Sequence, residues 1–253
     1  MAALTQTEIA DKLRGQDLDK WLALWWAEQG PAKRMALDLM AAAIPSPQVG
    51  SVRVLDMCCG PGDAGRAVFS RFPNARIDFV DRDPFFASLC SAINERDRIS
   101  GETLVRDLLD PGWHRDCMTR YDVIIVANGL HWFRMDQATR VVANVCEQLR
   151  PGGSFLFLEP VSPETPFASG VATWRQAQPS QHKREDWIRF WSSVNGLLGY
   201  EYFDTLAQPD ENGIGDQLSV FGWVGLLKAA GFDSIDVLLR DPEKVVVAAL
   251  KPS

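Results

Sequence analysis

Three histidines and five cysteines are the only imidazole and thiol metal ligands in 253 residues. The histidines (His114, His131 and His182) stand far apart, Cys58 and Cys59 are adjacent, and no C-x-x-C pair occurs. Neither a metal site nor a disulfide framework is expected from that set. No apolar run approaches the ~20 residues a membrane-spanning helix needs. The first residues, Met1 to Ile9, lack the basic stretch and apolar core of a secretory leader. Positive charge is also scarce: 26 Lys and Arg face 33 Asp and Glu, a net charge of −7. A nucleic-acid or lipid surface calls for a basic face, so neither partner is expected. A soluble, cytoplasmic protein is the expectation.

Two nucleotide-enzyme signatures are missing as well. None of the three tyrosines, Tyr121, Tyr200 and Tyr202, begins a Tyr-x-x-x-Lys pair. No Gly-Lys-Ser/Thr follows a glycine loop, which excludes a phosphate-binding P-loop.

What remains is ample for a core, with 46% hydrophobic residues and a length suited to one domain with an insertion. Residues 5–43 read as helical in two or three pieces, capped at Thr5 or Thr7 and broken at Gly30-Pro31. Leu18, Trp21, Leu22, Trp25 and Trp26 form one apolar face at helical spacing. That stripe suits core packing, a lid with an aromatic inner face, or a homodimer surface.

From Val52 onward strands and helices alternate. Strands are expected at Val52–Met57, Arg76–Val80, Thr103–Val105, Asp122–Ala127 and Ser154–Leu158, and helices over Asp63–Phe72, from the cap and first position at Asp83-Pro84, and over Gln137–Leu149. Near-continuous apolar strands fit a parallel sheet covered on both faces. The alternation halts over 160–219, a Pro-rich opening, a helix near Arg184–Leu198 and a loop ending at Gly215. A helix at Val220–Ala230 and two strands, Ser234–Leu239 and Lys244–Leu250, close the chain. The short Asp241-Pro242 turn between them predicts an antiparallel hairpin at the sheet edge. The expected organisation is a helical cap over 1–45, an α/β core over 46–160 and 220–253, and a lid-forming insertion over 161–219.

The chemistry gathers at the carboxyl ends of the expected strands, where open α/β sheets bind ligands. The first strand ends in Asp56-Met57-Cys58-Cys59-Gly60-Pro61-Gly62, part of a G-x-G-x-x-G run through Gly65 that an ordinary strand-to-helix turn would also use. The second ends in Asp81-Arg82, and a carboxylate there can accept both hydroxyls of a ribose. After the third, Asp107 can accept from an exocyclic adenine amine while the Leu108 backbone N–H meets the ring, although Asp107-Leu108-Leu109-Asp110 also reads as a capping turn. The fourth ends in Asn128-Gly129-Leu130-His131-Trp132. Asp56 would repel a pyrophosphate and attract a cation, which favours a positively charged nucleoside over a dinucleotide.

Together these segments resemble the class I S-adenosylmethionine-dependent methyltransferases. Val54 to Gly62 is similar to that family's D-x-x-x-G-x-G motif, Val80-Asp81 to its second-strand acid, Asn128 to Trp132 to the strand-four segment of its small-molecule branch, and Leu149 to Gly153 to the turn before strand five. Cys58 departs from the small residue, often Gly, that the family has there. The resemblance implies a Rossmann-like, doubly wound sheet of seven strands, mostly parallel with an antiparallel last strand. It further implies S-adenosyl-L-methionine as cofactor, S-adenosyl-L-homocysteine as product, and methyl transfer to a small molecule by in-line displacement. The cofactor residues expected are Asp56, Met57, Cys58, Gly60, Gly62, Asp81, Arg82, Asp107, Leu108, Asn128 and Gly129. His131, just past strand four, is the first candidate base and His182 the second; His131 packed on Trp132 could instead only shape the pocket. Trp25, Trp26, Trp187, Trp191 and Tyr200 are the expected substrate lining. Two alternatives stay open: a non-methylating enzyme or accessory protein on the same fold, and an NAD-dependent reductase.

Overall fold

The computed structural model describes residues 4–45, 51–114, 120–178, 184–202 and 218–253. Seven strands form one sheet: β1 (Arg53–Met57), β2 (Arg76–Asp81), β3 (Thr103–Val105), β4 (Tyr121–Ala127), β5 (Leu149–Pro160), β6 (Ser234–Arg240) and β7 (Lys244–Leu250). Their spatial order is β3-β2-β1-β4-β5-β7-β6. β1 through β5 pair in parallel, while β7 runs antiparallel between β5 and β6. The closing hairpin lies at the sheet edge, with β6 outermost.

Side-chain alternation along each strand feeds two separate cores. Val54, Ile77, Phe79, Val123, Ile125, Leu156 and Leu158 point to one face, under α2 (Leu18–Ala43) and α3 (Asp63–Arg71). Leu55, Met57, Val80, Ile124, Val126, Phe155 and Phe157 point to the other, under α5 (Met135–Gln148) and α8 (Val220–Ala229). Covering both faces is why β1 and β4 read as near-continuous apolar runs. The chain winds from β1 outward to β3, then crosses to β4 on β1's other side. The carboxyl ends of β1 and β4 therefore flank the switch point, where the crevice opens.

A third core joins the N-terminal helices to the insertion. α1 (Gln6–Leu13), the start of α2, α4 (Pro84–Asp97) and α7 (Arg184–Leu198) share Ile9, Trp21, Phe85, Phe190, Trp191 and Tyr202. Phe86 and Phe190 stack at 6.0 Å with rings 11° apart. Thr5 caps α1 through a capping box with Glu8. Gly30 sits at φ 72° and Pro31 restarts the helix, so α2 is two helices joined at a kink.

The insertion is more helical than its composition suggests. Its Pro-rich opening contains α6 (Pro166–Gln176), with Pro166 at the first turn and the Thr165 hydroxyl accepting from the Ala168 N–H at 3.2 Å. Proline belongs at that position because its missing N–H has no partner there to lose. The loop expected at 208–215 lies outside the described residues.

Candidate functional site

The cavity at the switch point has a volume of about 1200 Å³. Its floor is the loop after β1. Cys58, Gly60 and Gly62 all hold positive φ, at 50°, 54° and 85°. Asp56, buried at the end of β1, accepts from the Gly65 N–H at 2.8 Å and so faces the positive end of α3. A Cβ on Gly65 would lie 2.3 Å from the Phe79 ring, so the helix start closes on the sheet only with glycine there. Burial pushes the Asp56 carboxyl well up, opposed by the Gly65 hydrogen bond.

Asp81 joins loop and second strand. One carboxylate oxygen accepts from the Gly60 N–H at 2.8 Å, the other from the Asp83 N–H at 2.9 Å. Each oxygen keeps capacity for a further donor. Burial, followed by the like charge of Asp83, pushes Asp81 up to about 6. Asp83 caps α4 through the Phe85 N–H and accepts from the Tyr202 hydroxyl at 2.5 Å. Burial raises its carboxyl as well. Asp107 holds its own turn through the Leu109 N–H at 2.9 Å, so it is a capping acid and a wall residue at once.

The opposite wall is built on β4 and β5. Glu159, fully buried at the end of β5, accepts from the backbone N–H groups of Gly129, Leu130 and His131 at 2.8, 2.7 and 3.3 Å. Its Oε2 also lies 2.9 Å from His131 Nδ1. A carboxylate receiving three N–H donors assigns the proton to Nδ1 and leaves Nε2 as the acceptor nitrogen of the ring. His131 also rests on Trp132, with ring centres 5.1 Å apart, so pocket shaping and base geometry coexist. A Cβ on Gly129 would lie 2.6 Å from the Cys58 Cβ, so the β1 and β4 loops meet only because this position is glycine.

Most residues expected from the sequence share this one cavity: Asp56, Cys58, Gly60, Asp81, Arg82, Asp107, Leu108, Asn128, Gly129, His131, Trp25, Trp187 and Trp191. Four do not line it. Met57 is fully buried in the sheet, and Gly62 caps α3 behind the loop. Trp26 packs under the Arg34 guanidinium, and Tyr200 packs against Tyr202. His182 falls outside the described residues. Burial, the first cause, and the surrounding acids raise the Cys58 thiol well above its usual range, which disfavours a thiolate nucleophile.

Sequence reasoning missed Glu159, although it carried the signal used for Asp56 and Asp81, an acid closing an apolar strand. It also missed Lys33 and Asp63. No sequence pattern announces Lys33, because the kink at Gly30 brings it to the cavity.

Residues 54–153 match the family model described as methyltransferase domain. Over 201 residues the chain is 25% identical to squalestatin tetraketide synthase of Phoma sp. (strain C2932), covering 76% of this chain and 6% of that one. The carbon methyltransferase of CurJ superposes with a TM-score of 0.58 at 20% identity, over 87% of this chain and 54% of that one. Human N-acetylserotonin methyltransferase, solved with S-adenosylmethionine, gives a TM-score of 0.54 at 14% identity, over 98% of this chain and 57% of that one. The chain thus spans a small part of the synthase and little more than half of the two solved chains. Residues 54–153 are thus matched as a methyltransferase domain, and the fold is the one those solved methyltransferases share.

Proposed function

We propose that the protein transfers a methyl group from S-adenosylmethionine to a small-molecule acceptor that loses a proton in the reaction. The observation that carries this reading is the His131–Glu159 pair, whose imidazole lines the same cavity as Asp81 and the glycine loop while the carboxylate is buried behind it. The lining fits such a cofactor. Asp56, Asp63, Asp81, Asp83 and Asp107 suit a cationic, hydroxyl-rich nucleoside and oppose a pyrophosphate. Asn128 Oδ1 is buried with no hydrogen-bond partner among the described residues, leaving an acceptor unmatched by the protein. In this reading Asp81 holds the ribose hydroxyls, Asp107 and Leu108 the adenine, and Gly60 the close backbone approach.

When bound, the cofactor supplies an activated methyl carried on a sulfonium. The remaining task of the chain is to bring an acceptor in line, keep water out and take a proton. His131 Nε2 takes that proton, and Glu159 fixes the ring orientation and stabilises the imidazolium that results. Trp25, Trp187 and Trp191 form an aromatic cover over the cavity, and residues 1–45 and 161–219 act together as cap and lid on the core. The relatives named above for carbon and N-acetylserotonin methylation support a small acceptor and leave carbon, oxygen and nitrogen acceptors all consistent with a base.

Calorimetric titration with S-adenosylhomocysteine and with NAD tests the reading. Micromolar binding of the first and none of the second is expected. Folded protein that fails to bind S-adenosylhomocysteine would overturn it.

A further inference from the structure

The cavity has a second end, away from the glycine loop, built by residues just past β5 and at the start of β7. The two strands pair antiparallel, with Glu159 opposite Val245 and Pro160 opposite Lys244. The ladder continues one step, from the Val161 N–H to the Glu243 carbonyl at 2.9 Å. Ser162 and Lys244 therefore stand diagonally across it, about 7–8 Å apart at Cα. Both line the cavity and both are half-buried. Lys244 is one residue from the partner of Glu159, the acid that holds His131.

Charge at this end differs from that at the other. Asp56, Asp63, Asp81, Asp83 and Asp107 gather around β1, β2 and β3. Of the described cations lining the cavity, Lys33, Arg82 and Arg106 have partners of their own. The Lys244 ammonium makes no hydrogen bond or ion pair with the described residues, and neither does the Ser162 hydroxyl. Glu243, next to Lys244 in the chain, pairs with Arg175 of α6 at 3.7 Å.

We infer that Lys244, aided by Ser162, binds an anionic oxygen group of the methyl acceptor, a carboxylate or a phosphate, and so selects acidic acceptors. The assignment rests on the methyl-transfer reading above. In the sheet β7 is three strands from β1, about 14 Å, which sets Lys244 apart from a cofactor lying along the glycine loop. It is two strands from β4, about 10 Å, and the flexible four-carbon stem of lysine covers part of that span. A ring or short chain fits between the anion and an atom facing His131. The wall between them, with Trp132, Phe133, Val161, Pro163 and Ala172, is apolar and suits such a body. A half-buried ammonium without a counter-charge is unfavourable, and an acceptor anion supplies one through a charge-assisted hydrogen bond.

The competing explanation is that Lys244 is only a solvated lysine at a strand start. Benzoate and benzamide separate the two, because they share ring and size and differ in charge. Each is titrated by calorimetry into the full chain saturated with S-adenosylhomocysteine. Wild-type protein should bind benzoate at least about tenfold more tightly than benzamide. Lys244→Met keeps the apolar stem and should bring that ratio to about one. Its affinities for benzamide and S-adenosylhomocysteine should stay within about twofold of wild type. A ratio near one in wild type, binding of neither probe, or an unchanged ratio in Lys244→Met would overturn the assignment. Phenyl phosphate separates the two anions: binding tighter than benzoate assigns a phosphate, weaker binding a carboxylate. Failure to bind S-adenosylhomocysteine removes the cofactor reading instead, and the benzoate ratio is then read on the empty protein. If Lys244→Met does not fold, Lys244→Gln is judged by the same ratio.

Discussion

His131 Nδ1 lies 2.9 Å from Oε2 of Glu159, and the same carboxylate holds the backbone of residues 129–131. One buried acid therefore shapes the loop after β4 and orients the ring that the loop presents. The two roles are separable by mutation. His131→Ala should preserve the fold and S-adenosylhomocysteine affinity while slowing turnover by about 10²- to 10⁴-fold, the range for a positioned base. Product release measured with an active acceptor checks this; an unaltered rate would dismiss His131 as the base.

Glu159→Gln should do more damage. An amide cannot accept from all four donors, and its own NH₂ would face backbone N–H groups. Buried unsatisfied donors cost about 1–3 kcal/mol each, so a clear drop in melting temperature should accompany the loss of rate. Thermal unfolding of this variant beside His131→Ala makes the comparison, and equal stability of the two would contradict the loop-holding role.

Asp81 gives a pH signature. A carboxyl raised from 3.8 to about 6 stabilises the empty fold most below 3.8 and withdraws that contribution as pH rises through 6. Nucleoside binding has the opposite sign, because the hydroxyls donate to the ionised form. Affinity for S-adenosylhomocysteine should be level above pH 7 and fall by up to about tenfold per unit below 6. Asp81→Asn should weaken binding at pH 7.5 and flatten that profile. Titrations at several pH values decide, and a level wild-type profile would refute the assignment.

The contact between the two loops can be tested by a pair of substitutions. Gly129→Ala places a methyl group 2.6 Å from the Cys58 Cβ and should destabilise the protein by about 1–3 kcal/mol. Cys58→Gly removes that neighbour and suits the φ of 50° at this position. The double variant should recover part of the loss in thermal melts, since Val126 Cγ1 still lies 2.8 Å from the added methyl. Additive effects would show that the clash lies elsewhere.

The Tyr202 hydroxyl, 2.5 Å from Asp83 Oδ1, ties the segment after α7 to the start of α4. Tyr202→Phe leaves a buried carboxylate one donor short and should lower stability by about 1–3 kcal/mol. Denaturant titration measures it, and a change within a few tenths would mean the bond contributes little.

Much of the fold was legible because each strand carried its own record. Val54-Leu55 and Val123 to Val126 are apolar on both sides, which only a sheet covered on both faces requires, and the Asp241-Pro242 turn announced the antiparallel end. The acids at strand ends were legible for a related reason, since Asp56, Asp81 and Glu159 are each out of place in an apolar run. Glu159 was overlooked, although it showed the same mark.

The sequence by itself determined the order of strands and helices, the glycine loop and the acids beside it, because those depend on neighbours a few residues away. Only the tertiary structure decided which side chains meet. Trp25 and Trp26 are adjacent in the chain, yet one faces the cavity and the other lies beneath Arg34, since helical rotation sends neighbours to different faces. Lys33 reaches the glycine loop through the turn at Gly30, and His131 gains its carboxylate across 28 residues of chain. Such contacts depend on how packed elements are set against one another, and no local pattern encodes that.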